Sequence, residues 1–153
     1  MTMHSKASGR IYEAAGGGYA ESFDSGATWQ TVNDGLEPYS YLVGIAVDPG
    51  DENTVVASAA KGPRSAYEPS KADTILVRRE NGEEWKPVYE GLPDREGSAI
   101  FSLASDPDDP GVFYGINNLG FYISKDSGLT WDKTPVDWSE HLKSKRTHWM
   151  TLG

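Results

Sequence analysis

The sequence predicts an all-β chain built from repeated four-stranded antiparallel units. Three observations carry that expectation. Strand-length apolar runs rich in Val, Ile, Tyr and Phe recur along the chain: RIYEA, YLVGIAV, TVVASAA, TILVRR, AIFSLAS, GVFYGI and GFYISK. Each is bounded by Gly, Pro, Asp or Asn, which end strands and start turns. Glycine and proline are frequent, at 17 and 9 of 153 residues, so turns are many. Finally, an eight-residue pattern occurs twice, as SFDSGATW at 22–29 and SKDSGLTW at 124–131.

Self-comparison gives the period. GIAVDPGDENTVVAS (44–58) matches SLASDPDDPGVFYGI (102–116), with Asp48-Pro49 against Asp106-Pro107. DGL ending at Leu36 matches EGL ending at Leu92, each glycine six residues after a tryptophan. A worn copy of the eight-residue pattern, RRENGEEW, lies at 78–85; Glu80 stands where the good copies have Asp, while Gly82 and Trp85 keep their places. Four strands fit between successive tryptophans Trp29, Trp85 and Trp131: one before the Asp-Pro turn, one after it, one entering the pattern and one leaving it. Four antiparallel strands in roughly 40 to 55 residues is the size of one β-propeller blade.

Phase assigns the segments. The first run, GRIYEA, aligns with GVFYGI, a second strand, so the array is expected to be displaced by one strand. Residues 1–8 read as a disordered N-terminal segment, with His4 in it. Residues 9–36 read as a partial blade, 37–92 and 93–138 as full blades, and 139–153 as a linker and closing strand. Three blades fall short of the usual ring of four to eight and leave edges open. The expectation is therefore half of a longer propeller, or a homodimer in which THWMTL of each chain pairs beside GRIYEA of the other to complete six blades. The middle blade also carries a long connection between its second and third strands, AAKGPRSAYEPSKADT (59–74). Lys61, Arg64 and Tyr67 in it are the candidate ligand-contacting residues, because long connections on rigid scaffolds carry function.

Turn chemistry accounts for the repeated pattern. Asp24 and Asp126 can accept backbone N–H groups of a hairpin turn, and Gly26 and Gly128 can supply a positive φ. Ser22, Thr28, Ser124 and Thr130 can bond the remaining turn groups, and Trp29, Trp85 and Trp131 can bury large apolar surfaces. Glu80 is one methylene too long for this role, so the middle turn, with Gly82 and Trp85, is expected to be looser.

The pattern Ser-x-Asp-x-Gly-x-Thr-Trp resembles the Asp-box, or BNR repeat, of sialidases, sortilin-type receptor ectodomains, xyloglucan-degrading enzymes and photosystem II assembly factors. With the Asp-Pro turns and the Gly-Leu after the first two hairpins, the chain is similar to WD40/YVTN/BNR-like repeat proteins from residue 9 to about residue 138. The resemblance implies a β-propeller whose Asp-boxes lie away from any catalytic site.

The remaining chemistry is sparse. A net charge of −9 argues against nucleic acid or an anionic membrane as partner. With no cysteine there is no thiolate nucleophile or metal ligand, and His4, His141 and His148 make no metal spacing. Neither a signal-type apolar segment nor a membrane-span-length run is present, so the cytoplasm is the expected compartment. DPDDP (106–110) could attract calcium, but turn chemistry explains it, since DPGDEN keeps the turn while changing the charges. AAGGGYA (14–20) opens no helix and is not a phosphate loop. A sialidase site would need three converging arginines. No three of Arg10, Arg64, Arg78, Arg79, Arg95 and Arg146 lie at matching positions of inner strands. The sequence thus predicts a non-catalytic propeller module, with no metal, cofactor or catalytic residue, that binds a protein or glycan. The alternative is a carbohydrate-active protein of sialidase or xyloglucanase type, or a remnant of one.

Overall fold

A computed structural model describes residues 1–145. Twelve strands form three four-stranded antiparallel sheets, one blade each. Blade 1 holds β1 (Thr2–Met3), β2 (Ile11–Ala15), β3 (Gly18–Ser22) and β4 (Gln30–Thr31); blade 2 holds β5 (Tyr41–Asp48), β6 (Asp51–Ala60), β7 (Thr74–Arg79) and β8 (Lys86–Val88). Blade 3 holds β9 (Ser102–Ser105), β10 (Phe113–Asn117), β11 (Gly120–Ser124) and β12 (Asp132–Lys133). Within each sheet the strands follow chain order. Contacts between sheets concentrate on β5, the first strand of blade 2, which lies against β9 of blade 3 and against β2 and β1 of blade 1.

The blades are in phase, which corrects the expected one-strand displacement. Thr2 and Met3 pair with Tyr12 and Ile11, giving blade 1 its own first strand. Two paired residues are too few to show period-2 alternation, so this strand left no signature. Residues 1–8 are likewise not a loose segment. The His4 N–H bonds Arg10 O (3.2 Å), and the His4 ring bonds the Asp48 carbonyl of blade 2 through Nε2 (3.0 Å). Its Nδ1 accepts the N–H groups of Lys6 and Ala7. Because β1 occupies the place beside β2, the exchange of a partner's THWMTL strand loses its premise; THWMTL itself lies outside the described residues. Of the expected linker, Glu140–Lys143 form a short helix, α2.

Two apolar clusters join the blades. Tyr12, Tyr19 and Leu36 of blade 1 meet Val55, Ala57, Val77 and Trp85 of blade 2. Ala46, Val56, Leu76 and Val88 of blade 2 meet Phe113, Tyr122 and Trp131 of blade 3. Period-2 alternation places β7 between them: Val77 faces blade 1 and Leu76 faces blade 3, so each strand serves two interfaces. The 61–73 connection folds into a short helix, α1 (Pro63–Tyr67), and a 3-10 turn (Pro69–Lys71). Ala66, buried under it, packs with Ala60 and Ile100.

Candidate functional site

The ladders define two ends. Ile11–Ser22, Val55–Arg79 and Phe113–Ser124 pair at the hairpin end, while Ala15–Gly18, Ala60–Thr74 and Asn117–Gly120 pair at the opposite, loop end. The two good pattern copies close the hairpin end identically. Asp24 Oδ1 accepts Thr28 N–H (2.8 Å) and Oδ2 accepts Thr28 Oγ1–H (2.7 Å). Asp126 does the same with Thr130, at 2.9 and 2.6 Å. Ser22 Oγ and Ser124 Oγ donate to the aspartates and accept the N–H of Gly26 and Gly128. The glycines have φ of 89° and 84°, and each is preceded by a serine that is also left-handed, Ser25 and Ser127. The Thr28 hydroxyl and amide hold Asp24 below the usual carboxylate range. Partial burial pushes Asp126 up, but the bonds from Thr130 and Ser124 outweigh it and the net shift is downward. Both carboxylates are committed to the turn, the opposite of a poised general acid.

The worn copy differs from the expected alignment. Arg79, not Arg78, takes the register position of Ser22 and Ser124, so the middle hairpin is one residue shorter. Asn81 and Gly82 supply its left-handed pair. Glu80 bonds Arg78 Nη2 (2.6 Å) instead of the turn, and Arg78 Nε donates to Ser127 O of blade 3 (2.6 Å). This pairing lowers the Glu80 pKa.

The tryptophans do not all bury. Trp85 and Trp131 are 2% exposed and Trp29 is 40% exposed. Trp85 lies edge-on to Tyr19 (5.0 Å between centroids), and its indole bonds Val32 O of blade 1 (2.9 Å). The Trp85 N–H bonds Asp34 O and the Trp131 N–H bonds Glu90 O, so each blade's tail receives the next blade's tryptophan. Gly35 and Gly91 make this joint: both are left-handed, and a Cβ there would lie 2.3 Å from Trp85 O and 1.5 Å from Trp131 O.

Two further polar anchors of the hairpin end escaped sequence reasoning. Asp48 ties all three blades. Its carbonyl accepts His4, Oδ1 accepts Gly50 N and Gly111 N (2.8 and 3.0 Å), and Oδ2 accepts Ser127 Oγ–H (2.9 Å). Between blades 1 and 2, buried Glu21 receives Arg10 (3.2 Å), Arg79 (3.4 Å) and the Tyr19 hydroxyl (2.9 Å). Burial raises the Tyr19 pKa far above the ordinary phenol value and pushes Tyr12 up to about 12.

At the loop end, the three candidate contact residues share one connection and have different roles. Lys61 bonds Asp73 Oδ2 (2.9 Å) and lies 5.1 Å from the Tyr39 ring centre. Asp73 also accepts the Tyr39 hydroxyl (3.0 Å) and faces Arg95. Burial pushes Asp73 up, but its bonds to Lys61 and Tyr39 outweigh this, leaving it below the usual range. Arg64 is exposed on α1. Half-buried Tyr67 meets Tyr41 edge-to-face (6.1 Å). Lys61, Arg64 and Lys71 line an open depression of about 510 Å³. A second cleft of about 520 Å³, lined by Arg78, Glu80, Glu83, Lys86, Tyr89 and Leu129, opens between blades 2 and 3. Among the described residues there is no group of acids and histidines suited to a metal, and no helix long and apolar enough to cross a membrane.

These sheets and joints define the chain as a run of β-propeller blades. Solved propellers share its shape. The GH74 xyloglucanase from Xanthomonas campestris matches at 23% identity and TM-score 0.61, over 86% of this chain and 20% of its own length. The GH74 enzyme of Niastella koreensis matches at 19% and 0.61, over 92% and 22%. YCF48 from Cyanidioschyzon merolae matches at 13% and 0.56, over 86% and 35%. A YCF48 bound to D1 peptide matches at 15% and 0.51, over 86% and 41%. The chain therefore spans between about a fifth and two fifths of each of these structures. No family model and no curated protein matches the sequence.

Proposed function

We propose that the chain is a non-catalytic propeller interaction module that contacts a protein segment at the loop end, with its Asp-boxes serving as structural turns. One observation carries the reading: Arg64, with Lys61 and Lys71, lines an open depression at the loop end, although Lys61, Lys71 and Arg95 are also paired with Asp73, Glu68 and Glu96. In a chain of net charge −9, Lys61, Arg64, Lys71 and Arg95 surround the 61–73 connection, beside the Tyr41–Tyr67 pair. Cations next to aromatic rings suit an acidic, extended peptide. The hairpin end, by contrast, uses its carboxylates internally. A YCF48 of the same fold has been solved with a peptide, which supports the class of partner. The test is a fluorescently labelled acidic-peptide library screened against the native chain and against Arg64→Glu with Lys71→Glu. Binding that the double reversal reduces at least tenfold supports the reading, and binding indifferent to it overturns it.

A carbohydrate-active role is the second reading, favoured by the GH74 neighbours of the same fold. Incubation with xyloglucan oligosaccharides and chromogenic glycosides separates the two: turnover establishes the second and removes the first.

A further inference from the structure

We infer that the cleft between blades 2 and 3 is a docking site of its own, and that its occupant is an extended protein segment carrying a lysine or arginine beside a bulky apolar side chain. Both walls come from adjoining blades of this chain: β8 with the residues after it on one side, and Leu129 of the blade 3 hairpin on the other. The site therefore does not depend on what borders blade 1 or follows blade 3. Two large apolar side chains line it without serving the fold. Tyr89 is 66% exposed and Leu129 is 54% exposed, and neither belongs to the apolar cluster that joins the two blades. The joint between blades 1 and 2 shows that the fold does not require them. Counted from each tryptophan, Asn33 stands where blade 2 has Tyr89, and Glu83 where blade 3 has Leu129. Asn33 is consumed by its own sheet, accepting Tyr19 N–H (2.8 Å) and donating to Gly17 O (3.2 Å). An exposed aromatic and an exposed aliphatic side chain on one open cleft of about 520 Å³ have the character of an interaction patch.

Charge selects the occupant. Four glutamates line the cleft with one arginine and one lysine. Arg78 is taken by Glu80 (2.6 Å) and Lys86 by Glu83 (2.6 Å), so both cations are already matched within the wall. Glu84 and Glu90 are exposed and left over; among the described residues neither carboxylate has a hydrogen bond or an ion pair. Two unmatched carboxylates in one cleft with Tyr89 and Leu129 favour a cation next to an apolar group and repel an acidic segment. Backbone pairing is not the mode of recognition. β8 is the edge strand of blade 2, but Pro87 at its centre offers no N–H to an added strand. Side chains therefore carry the contact, the apolar pair through burial and the glutamates through orientation and register. This chemistry is opposite to that of the loop-end depression, so the two sites take different segments.

Charge-matched peptides test this directly. Fluorescently labelled hexapeptides with Lys or Arg next to Phe or Leu in a Gly-Ser background, and the same peptides with Glu in place of the cation, are titrated against the full chain by anisotropy. The cationic set is expected to bind at least tenfold more tightly than the acidic set. Glu84→Lys with Glu90→Lys should abolish that preference, and Tyr89→Ser with Leu129→Ser should weaken binding of the cationic set at least tenfold. Asp108→Lys with Asp109→Lys changes the net charge equally but outside the cleft, and should leave the preference in place. All six positions are exposed, so every variant is expected to unfold in urea as cooperatively as the native chain, and the native preference is read without any variant. A preference lost equally in the Asp108, Asp109 variant reduces it to the overall charge of −9 and overturns the inference. Binding that ignores Tyr89 and Leu129 overturns it too, as does a native chain that binds neither set.

Discussion

Gly91→Ala isolates the joint between blades. At φ +76° an alanine pays the left-handed penalty of roughly 1–2 kcal/mol. Its Cβ would stand 1.5 Å from Trp131 O, so blade 3 must retreat by about 2 Å to restore van der Waals contact. That movement breaks the Trp131 N–H bond to Glu90 O, about 1 kcal/mol, and loosens packing around a tryptophan 2% exposed, at roughly 1–3 kcal/mol for an overpacked core. The total is about 3–6 kcal/mol, a large part of the roughly 5–15 kcal/mol of a typical domain. Gly97→Ala is the matched control: φ is +82°, and a Cβ there meets nothing within 4 Å, so only the left-handed penalty applies. Urea unfolding followed by tryptophan fluorescence measures both. Equal destabilisation of the two variants would refute the steric joint and reduce Gly91 to an ordinary turn glycine.

Four other outcomes follow from the polar contacts of the hairpin end. Glu21→Gln leaves two buried guanidinium groups without a carboxylate and should cost about 3–5 kcal/mol in chemical denaturation, well beyond exposed Glu84→Gln. Asp126→Ala loses three accepted bonds and should cost about 1–3 kcal/mol at neutral pH. Because the folded pKa values of Asp24 and Asp126 lie below the unfolded value of about 3.9, their contribution is present above pH 4 and is lost as pH falls through the lowered values; the Asp24→Asn, Asp126→Asn chain should lose less stability between pH 5 and 2 than the native one, measured by thermal melts. Glu80→Ala should lower stability by about 1 kcal/mol, by releasing Arg78 from its carboxylate partner; Glu80→Asp, too short to keep that bond, should follow it.

Strands that carry a full apolar run were legible because each fills an interface on one or both faces. β5, β6, β7, β10 and β11 fall where their runs predicted them. The strands without such runs differ in kind. β1, β4 and β12 are two residues long, and β1 was missed because Thr2 and Met3 alone show no alternation. The one-residue deletion in the middle hairpin was hidden because Gly82 and Trp85 keep their mutual spacing, and only the ladder shows Arg79 in the serine's place. The Arg10–Glu21–Arg79 cluster had a readable signal: charges at strand positions whose alternation points inward must be paired. Asp48 was read as a turn residue, which it is, but its bond to Ser127 spans 79 positions and no local pattern encodes it.

The two ends of the array answer to different constraints. At the hairpin end a single side chain often holds two blades, as Arg78 does through Ser127 O and Asp48 through Gly111 N and Ser127 Oγ. A change there is felt in packing, which explains why two copies of one turn persist in chemical detail. At the loop end the ladder of blade 2 closes cleanly at Ala60–Thr74, so the residues between can lengthen without disturbing a strand. Those residues are nevertheless ordered, through Asp73 N to Ser65 O, Gly97 N to Ala72 O and Ile100 N to Ala66 O. An insertion that the sheet does not need, yet that is tied down by its own hydrogen bonds and a buried alanine, fixes the positions of Lys61, Arg64 and Tyr67 relative to the blades. Rigid placement of exposed cations lowers the ordering cost of binding, which supports the proposal that a partner is contacted at this end.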